Sequence, residues 1–320
     1  MALHPVIAAA LASAADLLPY SAMPIAQARA QARLAYVTDR APVPVAAVRN
    51  LFIPGPGGAI ALRIYTPPGD GPHPVLVFFH GSGFVLLDLD THDDICRRLC
   101  AGASCLVASV DYRLAPEHKF PAAPDDCLAA TRWLAANAAD LGGDASRIAV
   151  AGDSAGGCLA AVTALRIRDE GGPRLIGQLL FYPVTDYPSV PRDSWRAFGA
   201  GYGLGSEGMA WFWHQYLSDP SVAAHPHASP LRAPSAEGLP SACVLMAEYD
   251  VLHDEGQAFA QWLREAGVPA VSHAYAGMNH GFLKYAGVLE PADTAMQDAC
   301  RWLKGVLRAP TPASVSAAPG

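Results

Sequence analysis

From residue 45 onward, short apolar runs alternate with longer stretches in which apolar and polar residues recur at helical spacing. The runs "VAAVRNLFIP" and "AIALRIYTP" flank Gly57 and Gly58, which predicts an antiparallel pair joined by a tight turn. Further runs follow: "PVLVFFH", "SCLVASVDY", "RIAVAG", "GQLLFYP", "ACVLMAEYD" and "AVSHAYAG". They are rich in Val, Ile and Leu and lack strict alternation, as expected of strands covered on both faces. Between them, "HDDICRRLCAGA" opens with an acidic turn, and "PAAPDDCLAATRWLAANAADLGG" begins with proline and ends in glycine. The stretches "SAGGCLAAVTALRIRDEGG", "HDEGQAFAQWLREAG" and "TAMQDACRWLKGVL" read as further helices. This alternation predicts an α/β fold, with an eight-stranded, mostly parallel sheet flanked by helices.

Two segments break the rhythm. Residues 1–44 are Ala-rich and helical in pattern, and residues 186–240 are dense in Pro, Gly and aromatic residues, including "SWRAFGAGYGLGSEGMAWFWHQYL". An insertion of that size after a sheet strand is expected to cover a site. The core therefore comes in two parts, 45–185 and 241–308, and the low-complexity tail 309–320 is expected to be disordered.

Composition narrows the function classes. The chain has 320 residues, 52% of them hydrophobic and 16% charged, enough to bury a large core without disulfide or metal staples. The net charge is -7 with no basic run, which argues against a nucleic-acid partner. Seven cysteines, without a C-x-x-C pair and mostly in apolar surroundings, read as free thiols in a reducing, cytoplasmic compartment. The apolar N-terminal stretch has no Lys or Arg ahead of it, unlike a secretory signal, and no run is long enough for a membrane span. His225 and His227 form an H-x-H without an evident third ligand, so no metal site is expected there.

Gly152-Asp153-Ser154-Ala155-Gly156 is a G-x-S-x-G set between a strand run and a helical stretch, the context of a nucleophile elbow. The bland alternative is a serine N-cap in a Gly-rich turn. A serine hydroxyl needs a base to take its proton, and the base needs an orienting carboxylate. Asp250, at the end of the run "ACVLMAEYD", and His280, in "GMNHGF", follow Ser154 in the order acid then base. Glu248 and Asp254 compete with Asp250, which is favoured by its strand-end position. His92, beside acidic neighbours, reads as part of a helix start.

Attack by Ser154 would create an oxyanion that needs donors about 3 Å away. The amide of Ala155 is one, and the loop "HGSG", residues 80–83, stands where the others are expected. Side chains in that loop would obstruct the oxygen, which accounts for Gly81 and Gly83.

Together, "HGSGFVLLDLDTHD", "DYRLAPEHKFPAAPDDC", "IAVAGDSAGG", "EYDVLHDEG" and "GMNHGF" resemble the bacterial hormone-sensitive-lipase-like carboxylesterases, over about residues 5–305. The resemblance implies an α/β-hydrolase fold with a cap built from the N-terminal helices and the mid-chain insertion. It implies Ser154 as nucleophile, Asp250 as acid and His280 as base. The amides of Ser82, Gly83 and Ala155 would form the oxyanion hole, with His80 and Gly81 supporting its loop. Substrates would be short- to medium-chain acyl esters, with no cofactor, and a homodimer is compatible with the family pattern. The chain departs from that pattern at Ser82, where glycine is usual, at Cys158, where asparagine is common, and at Val251-Leu252-His253 after the acid. Phe84, Trp195, Phe198, Tyr202, Trp211, Phe212 and Trp213 are candidates for lining the substrate pocket, against plain cap and core packing. An amidase or peptidase and a lipase are alternatives with the same triad, and a non-catalytic ligand receptor is a third on the same fold.

Overall fold

The apolar runs pair as one twisted sheet. In a computed structural model, which describes residues 2–36, 40–81, 83–189 and 192–308, β1 (Ala47–Gly55) and β2 (Gly58–Thr66) form the expected hairpin. β2 then pairs antiparallel with β4 (Leu106–Asp111). β4, β3 (His73–Phe79), β5 (Gly143–Asp153), β6 (Leu175–Phe181), β7 (Ser241–Tyr249) and β8 (Ala270–Asn279) run parallel, completing eight strands in the order β1-β2-β4-β3-β5-β6-β7-β8.

Successive residues of one strand enter two different cores, which is why the central runs lack alternation. Val75, Val77 and Phe79 face a cluster with Leu128 of α4 (Ala122–Ala136), Leu159 of α5 (Ala155–Glu170) and Phe259 of α8 (His253–Glu265). Leu76 and Phe78 face the opposite cluster, with Leu99 of α3 (Asp93–Ala103) and Leu303 of α9 (Glu290–Arg308). Helices on both sheet faces demand apolar side chains on both sides of each central strand. All seven cysteines are free and buried, several of them within these cores.

The segment before β1 carries α1 (Pro5–Ser13) and α2 (Ile25–Leu34), and the residues between β6 and β7 carry α6 (Asp193–Ala197) and α7 (Ser206–Tyr216). The two segments meet where Tyr20 contacts Trp211 and Phe212, with ring centroids 6.4 and 6.5 Å apart. One helix is shorter than its pattern: α4 ends at Ala136 instead of continuing to the glycines. The Asn137 side chain bonds back to the Trp133 carbonyl at 2.8 Å, and a 3-10 turn, Ala139–Leu141, leads into left-handed Gly142. Residues 309–320, expected to be disordered, lie outside the described residues. No helix among the described residues is long and apolar enough to cross a membrane.

The strand order reverses between β3 and β5, the switch point at which open α/β sheets leave a crevice beyond their carboxyl ends. Phe79 pairs with Gly152 there, so the loop after β3 and the turn after β5 leave the sheet side by side.

Candidate active site

Ser154 stands between the last residue of β5 and the first of α5, at φ 56° and ψ -120°. That conformation costs a non-glycine residue of order 1–3 kcal/mol and persists only where the surroundings enforce it. Here the Ser154 amide donates to the Phe181 carbonyl at 2.8 Å, and its carbonyl accepts from Val184 and Cys158 at 3.1 Å. A Cβ on Gly156 would overlap the Phe79 carbonyl, so the elbow can press against β3 only with glycine there. The Ser154 hydroxyl is left at the amino end of a 16-residue helix, where amide dipoles favour developing negative charge.

Asp250 follows β7 and His280 follows β8, and the structure brings both to Ser154. His280 Nδ1 lies 2.7 Å from Asp250 Oδ2, and His280 Nε2 lies 2.8 Å from Ser154 Oγ. A proton on Nδ1, held by the carboxylate, leaves the Nε2 lone pair facing the serine hydroxyl. Asp250 is nearly fully buried, and its second oxygen accepts the Leu252 amide at 2.9 Å. Leu252 thus serves Asp250 through its backbone, which is why a departure in side-chain pattern there leaves the acid seated. Both competing carboxylates are engaged elsewhere: Glu248 accepts the Gly277 amide at 2.7 Å and Asp254 accepts the Ser194 amide at 2.8 Å.

Gly81 and Gly83 of the 80–83 loop are also closely approached by other parts of the protein. A Cβ on Gly81 would collide with the Asp153 carboxylate, and one on Gly83 with the ring of Phe212. Gly83 also sits at φ 58°. It is these neighbours, from β5 and from α7, that exclude a side chain. Ser82 lies outside the described residues. Ala155 is fully buried in the first turn of α5.

Behind the loop lies a buried polar group that the sequence reading missed. Asp153 Oδ1 accepts the Gly81 amide at 2.7 Å and lies 3.2 Å from His92 Nε2. Burial pushes the Asp153 carboxyl up, but the His92 charge, the His92 hydrogen bond and the Gly81 amide outweigh it and hold it below the usual range. His92 does precede α3, as expected, yet its ring turns inward instead of capping that helix. Thr91 Oγ1, 3.0 Å away, orients its other nitrogen. His80 stacks on Tyr112 at 4.4 Å, and its carbonyl accepts the Tyr112 hydroxyl at 2.7 Å. Burial and the neighbouring His92 push His80 down to about 3, so its ring is neutral and supports the loop by packing. One signal was available: a carboxylate closing an apolar strand run must find a partner when buried.

The aromatic candidates fall into two sets. Phe84 and Trp213 are buried, with Phe84 stacked on Tyr216 at 3.8 Å and Trp213 edge-on to Tyr187 at 5.3 Å. Phe198, Tyr202 and Trp211 are half-buried, the first two packing together with Tyr249. Trp195 is also half-buried. Phe212, also buried, lies over Gly83. The His225 and His227 rings meet edge-on at 4.7 Å, and no cluster among the described residues could hold a metal ion.

Comparison with known proteins shows the family and the fold. Residues 76–284 match the family described as alpha/beta hydrolase fold. The chain is 44% identical to Esterase LipI of Mycobacterium tuberculosis, over 80% of this chain and 81% of that protein. It is 38% identical to the ethyl acetate hydrolase of Pseudomonas putida, over 92% and 96%. Among solved structures, a hyperthermophilic esterase from the archaeon Pyrobaculum calidifontis superposes with a TM-score of 0.92 at 41% identity, covering 95% of this chain and 99% of that one.

Proposed function

Since the chain belongs to the α/β-hydrolase family, among its hormone-sensitive-lipase-like carboxylic ester hydrolases, we propose that it cleaves short- to medium-chain acyl esters through Ser154, His280 and Asp250. The observation that carries the reading is the unbroken line from Asp250 Oδ2 through both nitrogens of His280 to Ser154 Oγ, at 2.7 and 2.8 Å.

Ser154 Oγ attacks the ester carbonyl as its proton passes to His280 Nε2, and Asp250 stabilises the imidazolium. The carbonyl oxygen becomes an oxyanion at the amino end of α5, where the amides of Gly83 and Ala155 are the proposed donors. His280 then gives its proton to the departing alcohol. Water, activated by the same nitrogen, releases the acid from the acyl-enzyme. Phe212, packed over Gly83, is the proposed wall beside the carbonyl and favours a slender acyl group.

The test is Ser154→Ala assayed on a p-nitrophenyl ester series from acetate to palmitate. The expected result is a kcat lower by about four orders of magnitude or more with the melting temperature retained. The parent should be most active on acetate to octanoate. Parent-like turnover by the Ser154→Ala protein would overturn the assignment, and a maximum at palmitate would overturn the substrate class.

A further inference from the structure

Besides the Tyr20–Phe212 contact, the N-terminal segment reaches the site through Tyr36. Its helix α2 is docked by two arginines. Arg29 donates to the Val85 and Ala115 carbonyls at 2.9 and 3.0 Å and to Glu117 at 2.7 Å. Arg33 pairs with Asp88 and Asp90. These partners lie in the stretches that follow the 80–83 loop and β4. Beyond the end of α2, Tyr36 turns inward. Its ring stacks on His92 at 5.7 Å and 25°, on the residue that engages Asp153 and through it the Gly81 amide. Its hydroxyl lies against Gly281, next to His280, so that a Cβ on Gly281 would be 2.9 Å from it. The Lys284 ammonium closes the far side, 5.2 Å from the ring centroid. Burial, and after it the Asp153 charge, raise the Tyr36 hydroxyl above its ordinary value, so it stays a neutral phenol.

We propose that Tyr36 is a positioning residue for ester hydrolysis, a wedge from the N-terminal segment that holds both the oxyanion loop, through His92, and the base, through Gly281. The proposal rests on the triad reading above. The ring does the positioning, because it is the ring that meets His92 and that carries the hydroxyl across to Gly281. Removing it frees two supports at once, and displacements near 1 Å at a reacting group cost rate more than binding.

The test compares kcat and KM per active site, titrated with a fluorophosphonate, for Tyr36→Ala, Tyr36→Leu and Tyr36→Phe, with the parent and Ser154→Ala alongside. Loss of ~10-fold or more in kcat is expected for Ala and Leu, with KM within ~2-fold of the parent, and a smaller loss for Phe, which keeps the ring on His92 and removes only the hydroxyl from Gly281. Leu keeps apolar volume, so it serves if the Ala variant does not fold. Parent-like kcat per titrated site in Ala or Leu, whatever the change in melting temperature, would overturn the proposal and reduce Tyr36 to packing. An equal loss in Phe would overturn the ring's role. An inactive parent, or an active Ser154→Ala protein, would instead sink the triad reading.

Discussion

Gly81→Ala adds one methyl group and tests how the proposed oxyanion loop is held. The new Cβ would overlap Asp153 Oδ2 and lie 2.9 Å from both the Asp153 carboxyl carbon and its backbone oxygen. Rotating the carboxylate away relieves the first contacts but sacrifices the 2.7 Å bond from the Gly81 amide, a charge-assisted bond of about 1.5–3 kcal/mol. It leaves the backbone contact in place. The loop must therefore withdraw from β5, carrying the Gly83 amide, the proposed oxyanion donor, with it. Loss of one oxyanion donor costs about 10²–10³ in kcat, or ~2.7–4 kcal/mol of transition-state stabilisation. The expected outcome is a kcat on p-nitrophenyl butyrate lower by ~10²-fold, per site titrated with fluorophosphonate, together with a lower melting temperature. Adding Asp153→Ala to Gly81→Ala should not restore activity, because the backbone oxygen remains. A Gly81→Ala enzyme with parent kcat, or one rescued by removing the carboxylate, would refute the argument that Asp153 and its strand fix the loop.

Other consequences follow from groups away from Ser154. Glu255 is buried, accepts the Thr185 amide at 2.7 Å, and is pushed by burial up to about 8 from 4.5. The folded protein keeps a proton that the unfolded chain has released, so Glu255 costs about 1.4 kcal/mol of stability per pH unit between those values. Glu255→Gln should flatten the melting temperature against pH over that window and exceed the parent above pH 8; parallel curves would refute it. The seven thiols are buried, and burial raises several, Cys100 and Cys243 up to about 12. Native protein should not react with a disulfide reagent at pH 8 until denatured; rapid titration of any native thiol would contradict this. Phe84→Ala should destabilise by about 3–5 kcal/mol in denaturant melts, since the ring is buried on Tyr216. Trp211→Ala, at a half-buried site, should instead change KM along the acyl series with the melting temperature nearly unchanged; the reverse pattern would reassign both residues.

The elements and their order were legible because the physics is local or periodic. Runs such as "PVLVFFH" announce a strand covered on both faces; helices such as α3 and α9 bury one stripe, whereas α5 is buried all round from Ala155 to Leu165. The neighbourhood of Ser154, Asp250 and His280 was legible for a further reason: each closes a strand or follows one, and a parallel sheet delivers all such ends to one edge. The end of α4 was not, because Asn137 competes for the Trp133 carbonyl ahead of the glycines that mark a helix stop.

The glycines of the 80–83 loop show where a sequence stops informing. Gly81 and Gly83 say that something approaches the backbone too closely for a Cβ, and chemistry suggested a carbonyl oxygen as the visitor. The structure puts Asp153 of β5 against Gly81 and Phe212 of α7 against Gly83. Which residue crowds a glycine depends on strand register and on how an insertion lands, and both are tertiary facts. The same holds for His92 and Tyr36, ordinary in their local sequence and distinguished only by what they touch. Gly81 rests against β5 and Gly83 against α7, so substitutions at Asp153 and Phe212 should alter the loop as surely as substitutions within it.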